Sequence, residues 1–159
     1  MRVRIEGENI ILRSVDSSDI DTILLWENST NEPLYGVFDE QYTREDVAKF
    51  VENQQLYSFA ETEQMRLMIC SHGGDRLGAI DLSEYDGKKA DVSILIFDSC
   101  NRRKGFAKSA LHLVVAYAKT LDITTIFATI HPQNLPSINL FKKAGFESVG
   151  AMRYAKSLL

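Results

Sequence analysis

No apolar run in this chain of 159 residues approaches the roughly 18 needed to span a bilayer. The N-terminus, Met-Arg-Val-Arg-Ile-Glu-Gly-Glu, holds no apolar signal core. These two absences point to a soluble, cytoplasmic protein that is neither secreted nor membrane-bound. Cysteine is scarce. Cys70 and Cys100 are the only two, which argues against a disulfide framework or a zinc site and for free thiols in a reducing compartment. No metal is expected. Internal repeats, linkers and low-complexity stretches are missing too.

What is present is an ordinary globular mixture, 45% hydrophobic and 25% charged, which excludes intrinsic disorder and collagen-like classes. The length suits one domain, 1–159, able to bury roughly 70% of the surface its unfolded chain exposes. Lys and Arg number 18 against 22 Asp and Glu, a net charge of −4, so a nucleic-acid partner is not expected. The distribution is uneven. Residues 16 to 63 hold 12 acids and two bases, Arg44 and Lys49, for −10, and the rest of the chain holds 16 bases and 10 acids, for +6. That stretch is either a solvated helical face or one side of a small domain on which two oppositely charged partners meet.

The periodicities follow a simple order. Asn9 to Val15 is β-like, and Asp16-Ser-Ser-Asp19 opens a helix carrying Ile20, Ile23, Leu24 and Trp26. Thr43 caps a second helix with Val47, Phe50 and Val51 on its apolar face. Met65, Leu67 and Ile69 alternate as a strand, Leu77 to Leu82 forms the next, and Asp86-Gly87 marks a hairpin into Asp91 to Phe97. Ala107 to Leu121 is an amphipathic helix and Thr124 to Ile130 a β-branched strand. A helix capped by Asn134 and one weak strand, Phe146 to Tyr154, complete an α/β domain.

Chemistry concentrates in Asp98-Ser-Cys-Asn-Arg102-Arg103-Lys104-Gly105-Phe106-Ala107, between a buried strand and a helix. Small residues at 105 and 107 let backbone approach a ligand, the helix start presents unpaired N–H groups, and Arg102, Arg103, Lys104 and Lys108 add cations. Together they describe a pyrophosphate cradle, although a solvated basic loop has the same composition. Neither Gly-x-x-x-x-Gly-Lys-Ser/Thr nor Gly-x-Gly-x-x-Gly occurs.

Arg102-x-x-Gly105-x-Ala107 matches the (Gln/Arg)-x-x-Gly-x-(Gly/Ala) signature of GNAT-superfamily N-acetyltransferases. Asn134-Leu-Pro-Ser137, then Phe141, then Gly145-Phe146 matches the second signature of that family. The chain resembles that family over nearly its whole length. Leu12-Arg13, Trp26-Glu27-Asn28 and the Gly78 strand look most like the branch holding spermidine/diamine and ribosomal-protein N-terminal acetyltransferases.

The resemblance implies a mixed, mostly antiparallel sheet of about six strands flanked by four helices, and acetyl-CoA as co-substrate. Residues 102 to 108 would hold its pyrophosphate, with Phe106 among them. Ile94, Leu95, Ile96 and Phe97 would pair with the pantetheine arm, and a backbone N–H near Ile96 would stabilise the oxyanion. Asn134 and Ser137 would hydrogen-bond the pantetheine or thiol end, with Phe141 in the same cofactor site; a plain helix cap is the alternative role of Asn134. The acceptor is a primary amine, with a polyamine first. Protein N-terminal acetylation and a catalytically silent acyl-CoA-binding role are the alternatives.

Asp81, Glu84 and Asp91 are the candidates to take the amine's proton, directly or through water. Phe141 stands where many members of the family have a tyrosine acid, leaving Ser137, His131 or water. Only 13 residues follow Phe146, room for one strand where the family has a hairpin. Either Ser148 to Tyr154 moves in to pair with Thr124 to Ile130, or an edge stays unpaired, and the expectation is the latter, with Met152, Tyr154, Leu158 and Leu159 forming a homodimer contact through residues 148–159.

Overall fold

Strand β1 (Arg4–Glu6) turns back into β2 (Ile11–Ser14), and the Val3 N–H donates to the Ser14 hydroxyl at 2.7 Å to close the pair. The computed structural model describes residues 2–29 and 41–159. At the anticipated helix start, Asp16 and Asp19 form a capping box, and one tight turn leads into α1 (Ile20–Ser29). Thr43 and Asp46 do the same for α2 (Arg44–Leu56), and Ser58 caps the short α3 (Phe59–Thr62). Three antiparallel strands follow, β3 (Met65–Cys70), β4 (Arg76–Ser83) and β5 (Lys89–Ile96). Helix α4 (Phe106–Thr120) crosses over to β6 (Thr125–Thr129), then come α5 (Leu135–Lys143), β7 (Glu147–Gly150) and β8 (Arg153–Ser157).

The strands form one sheet in the order β1-β2-β3-β4-β5-β6-β8-β7. Every neighbouring pair is antiparallel except β5–β6. One face packs Ile80, Leu82, Val92 and Ile126 against Leu111 and Val114 of α4 and Phe141 of α5. The other packs Met68 and Cys70 against Ile23 and Trp26 of α1 and Val47 and Val51 of α2.

Among the described residues the sheet has eight strands, not about six, and α3 adds a fifth helix. Two strands escaped the sequence reading. The first, β1, is three residues long and too polar to alternate visibly. The last 13 residues make a complete hairpin because Met152 adopts φ of 60° at the turn, a conformation that turn-finding rules reserve for Gly or Asn. Strand β8 pairs with Thr125–Thr129 of β6, so the expected gap is filled from within the chain. Leu158 is 9% exposed and belongs to the core. A homodimer through residues 148–159 therefore loses the open edge from which it was argued.

A buried ionic knot holds one end of the sheet. Asp19 is 0% exposed. Arg13 of β2 donates to both of its carboxylate oxygens at 2.8 Å, Arg76 of β4 donates through Nε at 2.6 Å, and the Asp16 N–H adds 2.9 Å. Burial alone would raise the Asp19 pKa, but these bonds outweigh it and hold it at about 2. Because the folded value lies below the unfolded one, the stabilisation is present above about pH 4 and is lost as pH falls toward 2. In urea unfolding, Asp19→Asn should cost about 3–5 kcal/mol at pH 7, since it strands two guanidinium groups. The variant should also lose less stability than the parent between pH 4 and pH 2; an equal loss would assign the acid sensitivity elsewhere.

Candidate functional site

The parallel pair is where the sheet opens. Strand β5 pairs with β6 only at Lys89–Thr125, Ala90–Ile126 and Asp91–Phe127, although β5 runs on to Ile96 and β6 to Thr129. Beyond Asp91 the two strands diverge. Since they run the same way, their C-terminal ends and the starts of α4 and α5 meet at one edge of the sheet, the side on which open α/β sheets bind ligands.

At that edge, Asp98 accepts from the Cys100 N–H at 3.1 Å and shapes a tight turn over Ser99–Asn101. That backbone bond, with Lys104 and Arg102 close by, holds its carboxyl below the usual range. Arg102 Nε donates to the Ile96 carbonyl at 3.2 Å, fastening the loop to the strand end. Arg103 (φ 64°) and Gly105 (φ 82°) both turn left-handed, and Gly105 starts α4 without a side-chain cap. The N–H groups of Phe106, Ala107 and Lys108 thus begin the helix without a partner inside it, at its positive dipole end. Arg103, Lys104 and Lys108 are exposed around them. A diphosphate fits this arrangement, because it supplies the cap the sequence omits.

Beside the loop, β4 passes close to the end of β5. A methyl group on Gly78 of β4 would run into the Leu95 carbonyl, with the Leu95 carbonyl carbon at 2.9 Å and Ile96 Cα at 3.0 Å. The Leu95–Ile96 peptide therefore turns its carbonyl toward β4, and a trans peptide then aims the Ile96 N–H the other way, toward the gap. Phe97 continues the ladder by donating to Leu77 O at 3.1 Å and packs its ring against Trp26, centroids 5.7 Å apart. Ile94, half-buried, packs on the α4 face.

Asn134 opens α5, buried, with Oδ1 accepting from the Ser137 N–H at 3.4 Å. Ser137 is half-buried one turn in. His131 sits at the end of β6 with Nδ1 accepting from the Gln133 N–H at 3.1 Å. Phe141 is 4% exposed and stands edge-on to Phe146 at 4.9 Å, inside the core.

The three candidate carboxylates lie along β4 and β5, away from the loop. Asp81 accepts from Arg66 Nε and Nη2 at 2.9 Å each and from Gln64 at 3.4 Å. Arg66 also donates to Glu27 of α1 at 2.8 Å and stacks over Phe50 of α2. Burial opposes the Arg66 charge, but Asp81 and Glu27 more than offset it and keep the guanidinium protonated. Asp91 accepts from Arg153 at 2.7 and 3.0 Å. Glu84 is exposed just past β4, in a left-handed conformation. The apolar setting of Asp81 is thus explained by Arg66, which reading the sequence passed over because a lone arginine in an alternating strand looks like an outward-facing residue.

The family model for the acetyltransferase (GNAT) domain matches residues 9–147. An N-acetyltransferase of Bacillus subtilis, YnaD, itself uncharacterized, is 22% identical over 93% of this chain and 85% of its own length. The chain spans only 29% of another curated relative, an uncharacterized protein of Methanocaldococcus jannaschii. The solved spermidine N-acetyltransferase of Vibrio cholerae, in complex with CoA and spermine, superposes with a TM-score of 0.77 at 19% identity, covering 94% of each chain. A RimL ribosomal-protein acetyltransferase in complex with coenzyme A gives 0.79 at 15% identity and 98% coverage of each. At these identities the likeness to the two solved structures is one of fold.

If the loop is a diphosphate cradle, Arg103→Glu combined with Lys104→Glu should weaken CoA binding by about 1.5–3 kcal/mol per charged contact removed, read by calorimetry at low salt. The loss should shrink at high salt, where screening already blunts the attraction. Unchanged affinity at low salt would make the cluster a solvated surface.

Proposed function

The chain belongs to the GNAT acetyltransferase family, and from that membership we propose that it transfers an acetyl group from acetyl-CoA to a primary amine. The observation that carries this reading is the splayed β5–β6 pair with the uncapped start of α4 at its open edge. Acetyl-CoA, when bound, supplies an acetyl group activated as a thioester. The N–H groups of Phe106, Ala107 and Lys108 hold the diphosphate, with Arg103 and Lys104 beside them. The stretch at the end of β5 that β6 leaves unpaired, from Ile94 to Phe97, receives the pantetheine arm. The Ile96 N–H donates to the carbonyl oxygen on which negative charge develops. Asn134 orients the thiol end, and the Ser137 hydroxyl is the proton donor within reach of the start of α5. Phe141 has no proton to give, and a thiol with a pKa of about 8.5 departs readily as thiolate.

The acceptor in this reading is a small cationic amine, first among them a polyamine or diamine. Acidic side chains on the two helices that cover the β4 face support it: Asp21 and Glu27 on α1, Glu45, Asp46 and Glu52 on α2. Of the acids in the −10 stretch, Glu32, Asp39 and Glu40 lie outside the described residues. The spermine-bound neighbour points the same way. Protein amino termini, and a silent CoA-binding role, are the rivals.

Taking a proton would make Asp81 or Asp91 give up charge-assisted bonds to arginine. We assign deprotonation to water on the open face of β5. Free thiol release with acetyl-CoA and a panel of diamines, polyamines and peptides tests the function. Tight CoA binding with no release for any amine favours the silent role, and release with peptides alone favours the amino-terminal one. For a primary amine of pKa about 10.4, kcat/KM should climb about tenfold per pH unit from pH 6 to 9. A plateau beginning near pH 7 would instead reveal a dedicated base.

A further inference from the structure

The Arg153–Asp91 pair occupies the vertex of the gap. Asp91 is the last residue of β5 that pairs with β6, opposite Phe127. Arg153 stands on the far side of β6, opposite Thr129 on β8. Its guanidinium lies over the Phe127 ring, 4.6 Å from the centroid, and donates to both Asp91 oxygens at 2.7 and 3.0 Å and to the Thr129 hydroxyl at 3.0 Å. One side chain therefore ties β5, β6 and β8 together at the level where the β5–β6 ladder ends. Two residues further along the same face of β5, Ser93 is exposed.

We propose that this pair is a positioning clamp for acetyl transfer. It fixes the vertex from which β5 departs, and with it the placement of the Ile96 N–H relative to the thioester. The inference rests on the acetyl-transfer reading above. The side chains are 35% and 25% exposed, and ion pairs that open to water add little to stability. Geometry is the more sensitive quantity, because a displacement of about 1 Å at a reacting centre can cost about 100-fold in rate. The clamp also gives Asp91 a role other than proton acceptor.

Asp91→Asn, Arg153→Gln and the double variant separate these roles. As a clamp, both single variants should lower kcat by a similar factor, at least about tenfold. The double should be no slower than the slower single, as expected of residues acting as one unit. CoA affinity should stay within twofold of the parent, and amide exchange of residues 92–96 should quicken. Arg153→Lys keeps the charge without the fork and should recover part of kcat, which guards against a Gln variant that folds poorly. Loss confined to Asp91→Asn would overturn the proposal in favour of a base. So would single variants with kcat within twofold of the parent and unchanged exchange. A parent that releases no thiol with any amine would sink the proposed function, and this inference with it, and is told apart because the failure precedes any substitution.

Discussion

One parallel contact in an otherwise antiparallel sheet organises this molecule. Antiparallel neighbours can be joined by a two-residue turn, but parallel neighbours need a crossover of a dozen residues or more. Between β5 and β6 that crossover is α4. Its start must then lie at the end of β5, and the start of α5 at the end of β6. Two strand ends and two helix starts share an edge for reasons of chain routing alone. The N–H groups that open α4, the glycine that admits a close backbone and the buried Asn134 all lie at that edge because of it.

The strand arginines are the second organising principle. Arg13, Arg66 and Arg153 each donate through two nitrogens to a carboxylate on another element, Asp19, Asp81 and Asp91 respectively. Each guanidinium is planar and matches both oxygens, which constrains direction as well as distance. The first fixes the turn into α1, the second links β3 and β4 to α1, and the third spans the vertex. Charges set among apolar strands here define how elements meet.

Features governed by short-range chemistry were readable from the sequence. The helix starts at Asp16 and Thr43, the Asp86-Gly87 hairpin, the amphipathic face of α4 and the glycine-containing loop all depend on residues within a few positions of one another. The β7–β8 hairpin was hidden because Met152 takes a conformation its side chain does not advertise. The partners of the candidate carboxylates were hidden for a different reason. Arg66 is 15 positions from Asp81 and Arg153 is 62 from Asp91, so only the completed sheet brings them together. Gly78 looked like a family mark until the Leu95 carbonyl gave it a steric cause.

The missing cap at the start of α4 also makes the folded state dependent on its surroundings. A helix that opens on Gly105 with no side-chain acceptor leaves its first N–H groups to water. An anionic ligand bound there engages the native chain and not the unfolded one, so it displaces the folding equilibrium by mass action. At 100 times its dissociation constant the shift is about 2.7 kcal/mol, a sizeable share of the stability of an ordinary domain. If the proposed diphosphate completes the helix, the lifetime of this chain against proteolysis should accordingly lengthen with the supply of that ligand.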